Sequence, residues 1–153
     1  MTCAMRQVCH PFFVDYHLNS LFQRKFPFVV CYTKHHHKVL KVYPKGDSRA
    51  DGKCLSIFLY LDDCDKPKDD EKIFVQANFR VLDPLGSNHF QRQFNFWYNE
   101  QHLGGGWIQF LSLPELPKVY LDKEDALKVE IEFKAVSCYQ ILSHYLSSIY
   151  FYF

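Results

Sequence analysis

The chain has almost no net charge, no paired-cysteine motif, no glycosylation sequon and no long uninterrupted apolar run. Lys and Arg number 18 against 17 Asp and Glu, a balance of +1, so there is no excess positive field to attract a phosphate backbone. Nucleic acid is excluded as an expected partner. The six cysteines (Cys3, Cys9, Cys31, Cys54, Cys64, Cys138) include no Cys-x-x-Cys pair, which argues against a zinc ribbon or a redox pair and for reduced thiols. The opening MTCAMRQVCHPFF lacks the basic segment and continuous apolar core of a secretory signal, which points to the cytoplasm or nucleus. Near the C-terminus the apolar stretch is broken by serines and a histidine and falls short of the ~20 residues that a bilayer span needs. No membrane span is expected, and no internal repeat appears.

Catalytic and metal motifs are missing as well. There is no Gly-x-Ser-x-Gly elbow, no phosphate-binding Gly-Lys-Ser/Thr loop and no His-Glu-x-x-His helix. A nucleophilic cysteine needs a cation or helix N-terminus to form thiolate. Cys54 instead starts a strand pattern, Cys64 lies among carboxylates and Cys138 follows the last strand pattern. The run Lys34-His35-His36-His37-Lys38 invites a metal reading, but neighbouring residues of a strand face opposite sides and the flanking lysines repel a cation. Asp62 to Glu71 is acid-rich without the spacing of a calcium loop. No enzyme activity, cofactor or metal is expected.

What the chain has is aromatic residues: 15 Phe, 10 Tyr and 2 Trp among 153 positions, a length that suits one domain and a composition that suits half-buried sheets. Leu40, Val42 and Tyr43 lead into Pro44-Lys45-Gly46-Asp47, and Leu55 to Leu61 returns as a second strand, so a hairpin is predicted around Gly46, Asp47, Asp51 and Gly52. Ile73, Val75, Ala77, Phe79 and Val81 alternate with Phe74, Gln76, Asn78 and Arg80, the period of a strand with one buried face. After the turn cluster Asp83 to Asn88, Phe90, Phe94, Phe96 and Tyr98 continue into another strand. Asn99 to Gly106, with three successive glycines, reads as a loop or bulge. Trp107 to Leu113 is again β-rich, Pro114 and Pro117 stop it, and Leu127, Val129, Ile131 and Phe133 alternate with charged residues.

About six to eight strands of this kind predict an all-β, antiparallel β-sandwich. The assignment divides the chain into a poorly patterned N-terminal segment 1–37 with one or two divergent strands, a sandwich over 38–136 and an apolar tail over 137–153. In the tail Ile141, Leu142, Tyr145, Leu146, Ile149 and Tyr150 recur at helical spacing opposite Ser143, His144, Ser147 and Ser148, the pattern of a short amphipathic helix.

These blocks, in this order, resemble the MATH (meprin and TRAF homology) domain, and most of all its plant branch. The residues that carry the likeness are Tyr43-Pro44-Lys45-Gly46-Asp47, Leu55 to Leu61, Ile73 to Leu82, Trp107 to Leu116 and Leu127 to Phe133. Lys38 stands about where the family has a Trp entering its hairpin. The resemblance implies a non-catalytic module that binds a short peptide motif of a partner protein, acting as an adaptor in ubiquitin-dependent processes. Two alternatives stay open: a substrate-targeting fragment of a deubiquitinase, and a structural protein that self-associates as a homo-oligomer. The family's groove commonly includes an Asp-Trp-Gly-Phe run, which here aligns with Gly104, Gly105, Gly106 and Trp107, so only Gly106 and the aromatic character at Trp107 match. Phe96, Trp97 and Tyr98 are consecutive, so at least one ring must leave the core face. Phe96, Trp97, Tyr98, Gly106 and Trp107 are therefore the candidate peptide-binding residues.

Overall fold

The alternation in the sequence translates directly into two stacked sheets. A computed structural model describes residues 12–17, 31–32, 37–50, 52–62, 66–123 and 126–140. The strands are β1 (Phe12–His17), β2 (Cys31–Tyr32), β3 (His37–Tyr43), β4 (Cys54–Leu61), β5 (Glu71–Val81), β6 (Phe90–Tyr98), β7 (Gly104–Ser112) and β8 (Ala126–Gln140). They form two antiparallel four-stranded sheets in the orders β1-β8-β5-β6 and β2-β3-β4-β7. Ile73, Val75, Ala77, Phe79 and Val81 of β5 are buried, as are Leu127, Val129, Ile131 and Phe133 of β8. They pack onto Leu40 and Val42 of β3 and Leu55, Ile57, Leu59 and Leu61 of β4 in one core. Burial of a ring such as Phe79, fully enclosed, contributes about 1.5–3 kcal/mol, and the core repeats that contribution across both inner faces.

The hairpin between β3 and β4 depends on glycine at one point. Gly46 has φ 85°, and a Cβ there would fall 2.7 Å from the Cys54 carbonyl oxygen and 2.8 Å from the Ala50 Cβ. Any side chain is excluded by conformation and by space. After β7 the prolines act as expected: a 3₁₀ turn over Leu113–Glu115 and a π-type turn over Leu116–Tyr120 carry the chain round the corner to β8.

Three features depart from the pattern read in the sequence. The glycines Gly104 to Gly106 are the first residues of β7, paired with Tyr60, Leu59 and Phe58, rather than a loop. Strand β8 extends to Gln140 and pairs with β5 as far as Glu71, four residues past the expected boundary at 136. Lys38 is 1% exposed, with its ammonium 5.5 Å from the centre of the Phe133 ring. A lysine stem can line a core of this kind, which is how Lys38 occupies a position where the family pattern has an indole. The expected helix over 141–153 and the histidines His35 and His36 lie outside the described residues, while His37 opens β3.

Strands β1 and β2 both come from the segment 1–37 or its border, and β1 pairs with β8 from Phe12↔Ile131 to His17↔Ala126. Among the described residues no helix is long and apolar enough to cross a membrane.

Candidate functional site

Strands β6 and β7 end their respective sheets and are joined by a tight turn in which Asn99 Oδ1 accepts from the backbone N–H groups of Gln101 (3.0 Å) and His102 (2.8 Å). The two edges therefore lie on the same side of the sandwich. Between them runs an open groove of about 520 Å³, lined by Phe94 and Phe96 from β6, Gly104 to Ile108 from β7, and Phe58, Tyr60 and Arg49 from the β3–β4 side.

The glycines make this groove. A Cβ on Gly104 would meet the Tyr60 ring, with Cζ at 2.8 Å, and a Cβ on Gly105 would fall 2.5 Å from the Phe96 ring. A Cβ on Gly106 would press on the β4 backbone, 2.6 Å from the Phe58 Cα and closer still to the Ile57 carbonyl oxygen. Without side chains on β7, the aromatic rings of both sheets close onto its bare backbone. Among the described residues β7 is an edge strand with one side of its peptide groups outside the ladder, the arrangement that accepts an added strand.

Rings and cations define the walls. Phe96 stacks on Phe94 at 5.7 Å with the planes 12° apart, and Phe94 in turn meets Trp107 edge-on at 5.6 Å. On the outer side Lys41 Nζ sits 4.3 Å over the Tyr60 ring and the Arg49 guanidinium 5.6 Å over Phe58, distances at which a cation is attracted to the ring face. Arg49 also forks onto Asp47, with Nη2 2.6 Å and Nε 3.1 Å from Oδ2, and that hydrogen bond holds the Asp47 carboxyl below its ordinary range. Burial, with lesser contributions from Tyr60 and Asp47, pushes the Tyr43 phenol up. The turn is fixed to the groove by Ser56, fully buried. Its Oγ accepts from the Asp47 N–H at 3.0 Å, and its hydroxyl donates to the Ile108 carbonyl of β7.

Of the five residues singled out in the sequence, Phe96, Gly106 and Trp107 come together at the groove. Trp107 spends much of its surface on the core, 5.3 Å from both Phe79 and Phe110. Tyr98 points into the sandwich, 0% exposed, and donates its hydroxyl to the Leu59 carbonyl at 3.0 Å. Burial raises its pKa far above the ordinary 10.0, so it stays a phenol. Trp97 lies on the outer face of its sheet, 47% exposed, beside Phe74 (4.8 Å) and Tyr139 (5.2 Å). Phe58, Tyr60, Lys41 and Arg49 were not among the expected site residues. The signal was present: the alternation of Ile57, Leu59 and Leu61 puts Phe58 and Tyr60 on the opposite face of β4. Among the described residues no three His, Cys, Asp or Glu side chains converge as a metal site would require.

Comparison with known proteins places this architecture. The solved structure of TRAF5 from Notothenia coriiceps is similar over 70% of this chain and 59% of that one, with a TM-score of 0.51 and 23% sequence identity. The likeness is one of fold, and the chain spans less than two thirds of that protein's length. No curated protein shows significant sequence similarity to it. The sequence profile of the MATH domain matches residues 21–133. That match runs from the N-terminal segment into β8 and includes both walls of the groove, so the chain belongs to the MATH domain family, a family of protein-interaction modules.

Proposed function

We propose that this domain binds an extended segment of a partner protein along the free edge of β7, in the groove between β6 and β7. The observation that carries this is the triple glycine Gly104 to Gly106 set against the Tyr60 and Phe96 rings: a strand edge with bare backbone for hydrogen bonding and apolar walls on both sides. Main-chain bonds supply affinity, and alternate ligand side chains meet Phe96 on one side and Phe58 and Tyr60 on the other. The affinity is on the order of micromolar, about −8 kcal/mol, as suits a short transient contact. The domain is not an enzyme in this role. It works as an adaptor, and the family resemblance supports a place in ubiquitin-dependent processes. A thiol-reactive ubiquitin probe should leave the chain unlabelled, and labelling would contradict the adaptor reading.

The test is selection of peptides from a display library with the intact chain, followed by titration of a selected peptide. Phe96→Ala and Tyr60→Ala each remove a wall ring and weaken binding about tenfold or more, whereas Trp97→Ala, on the outer face, leaves it unchanged. Unaltered binding by both groove variants, in chains that melt like wild type, would refute the assignment.

A further inference from the structure

The edge of a sheet presents unpaired N–H and C=O groups, and folded proteins blunt such edges with very short strands, charges, prolines or bulges. The edge strands here are β1, β6, β2 and β7. Strand β2 has two residues, β1 has six and carries Asp15, and the pairing of β7 with β4 is broken by a register shift between Leu55 and Ile57. Strand β6 has none of these devices. Its nine residues pair with β5 without interruption from Val81↔Phe90 to Ile73↔Tyr98, and they include no proline, glycine, lysine or acidic residue. Its one charge, Arg92, is turned to the core side, 5.5 Å from the centre of the Phe90 ring and 5.7 Å from that of Phe110, and so does not guard the edge. Among the described residues no strand pairs with the other side of β6.

The strand is also self-complementary. Laid antiparallel against itself with Phe94 at a two-fold axis, β6 sets Gln93 opposite Asn95 of the copy, Arg92 opposite Phe96, Gln91 opposite Trp97 and Phe90 opposite Tyr98. These are an amide pair, a cation with a ring, an amide with an indole and a ring pair, and no like charges are opposed. Directly opposite residues share a face of the sheet, so the exposed Gln91, Gln93, Asn95 and Trp97 meet on the outer surface. Trp97 is 47% exposed and covered by Phe74 from the β5 side; the copy would cover it from the other. Nine residues against nine form about eight to ten main-chain hydrogen bonds, close to the roughly ten of a typical stable interface.

We propose that β6 pairs antiparallel with β6 of a second copy of this chain, joining two four-stranded sheets into one continuous sheet across a two-fold axis at Phe94. Self-pairing through β6 rests on none of the ligand reading made for β7.

Sedimentation velocity of the full chain reads the association. At about 100 μM, well above the micromolar midpoint of a transient contact, the wild-type chain should sediment as a dimer. Two outer-face variants test the pairing: Gln93→Lys with Asn95→Lys, and Gln93→Glu with Asn95→Glu. Each places like charges directly opposite one another across the axis and should weaken self-association about tenfold or more, whereas an equimolar mixture of the two should recover the dimer as a heterodimer. A wild-type chain that stays monomeric would overturn the proposal. So would variants that dimerise as wild type does, or a mixture of the two that stays monomeric.

Discussion

Alanine at Gly106 and at Gly104 should have opposite consequences, although the residues are two apart in one strand. At Gly106 the new Cβ meets backbone, the Phe58 Cα at 2.6 Å and the Ile57 carbonyl oxygen, and relief requires about 1 Å of separation between β7 and β4. Movement of that size takes a ladder hydrogen bond of ordinary length out of bonding range. Two lost bonds at about 0.5–1.5 kcal/mol each, with overpacking of about 1–3 kcal/mol, are offset by about 0.4–1 kcal/mol from the stiffer unfolded chain. The net loss is about 1–5.5 kcal/mol, a fall in Tm of roughly 2–20 °C for a domain of this size. At Gly104 the Cβ meets only the half-exposed Tyr60 ring, which can swing away, so stability changes by less than about 1 kcal/mol while the groove loses its outer wall. Calorimetric melts of the two variants, with titration of a selected peptide, separate the effects. Equal loss of Tm in both would show that the glycines are not held by the contacts described.

Other outcomes follow from the ion pairs and the buried phenol. Arg80→Met leaves the Glu130 carboxylate, 7% exposed, without its cation and should cost about 2–3 kcal/mol in urea unfolding; adding Glu130→Met should restore most of it, and a neutral single variant would refute the coupling. Tyr98→Phe removes the bond to the Leu59 carbonyl and should cost about 0.5–1.5 kcal/mol by the same assay, and an unchanged midpoint would contradict it. Glu132, bonded by Lys134, and Asp47, bonded by Arg49, titrate below their ordinary 4.5 and 3.8. Their contribution is therefore complete above those unfolded-state values and disappears as pH falls through the lower native ones. Tm should drop on acidification below about pH 4.5, and Glu132→Gln with Asp47→Asn should flatten that drop; parallel curves would exclude these two groups as its source.

The strands that face one core and one solvent layer were legible from their period. From Ile73 to Val81 in β5 and from Leu127 to Phe133 in β8 every second residue is apolar and buried, the repeat of a strand with one face in the core. Strand β7 was misread at its start because glycine has no side chain to show a period, and its usual meaning is a turn. Here the space is filled by Tyr60 and Phe96, which are 44 and 9 positions from Gly104 and Gly105 in the sequence, and local pattern cannot report that. Strand β1 was obscure for a similar reason: its partner β8 lies more than 100 residues away, and Phe12, Phe13 and Val14 give no alternation of their own. For the site, the phase of β6 was readable, since Gln91, Gln93 and Asn95 share a face with Trp97 and are all exposed. Reading three consecutive rings as a unit hid that phase.

The two walls of the groove belong to different sheets: Phe94 and Phe96 to one, Tyr60 and the glycines to the other. Its width is thus the thickness of the sandwich, and the Tyr98 hydroxyl on the Leu59 carbonyl acts as a rivet that sets the gauge. A methyl group lost or gained deep between the layers would reset the aperture at the rim, so the ligand choice of the proposed groove would be tuned from the interior as much as from the residues that line it.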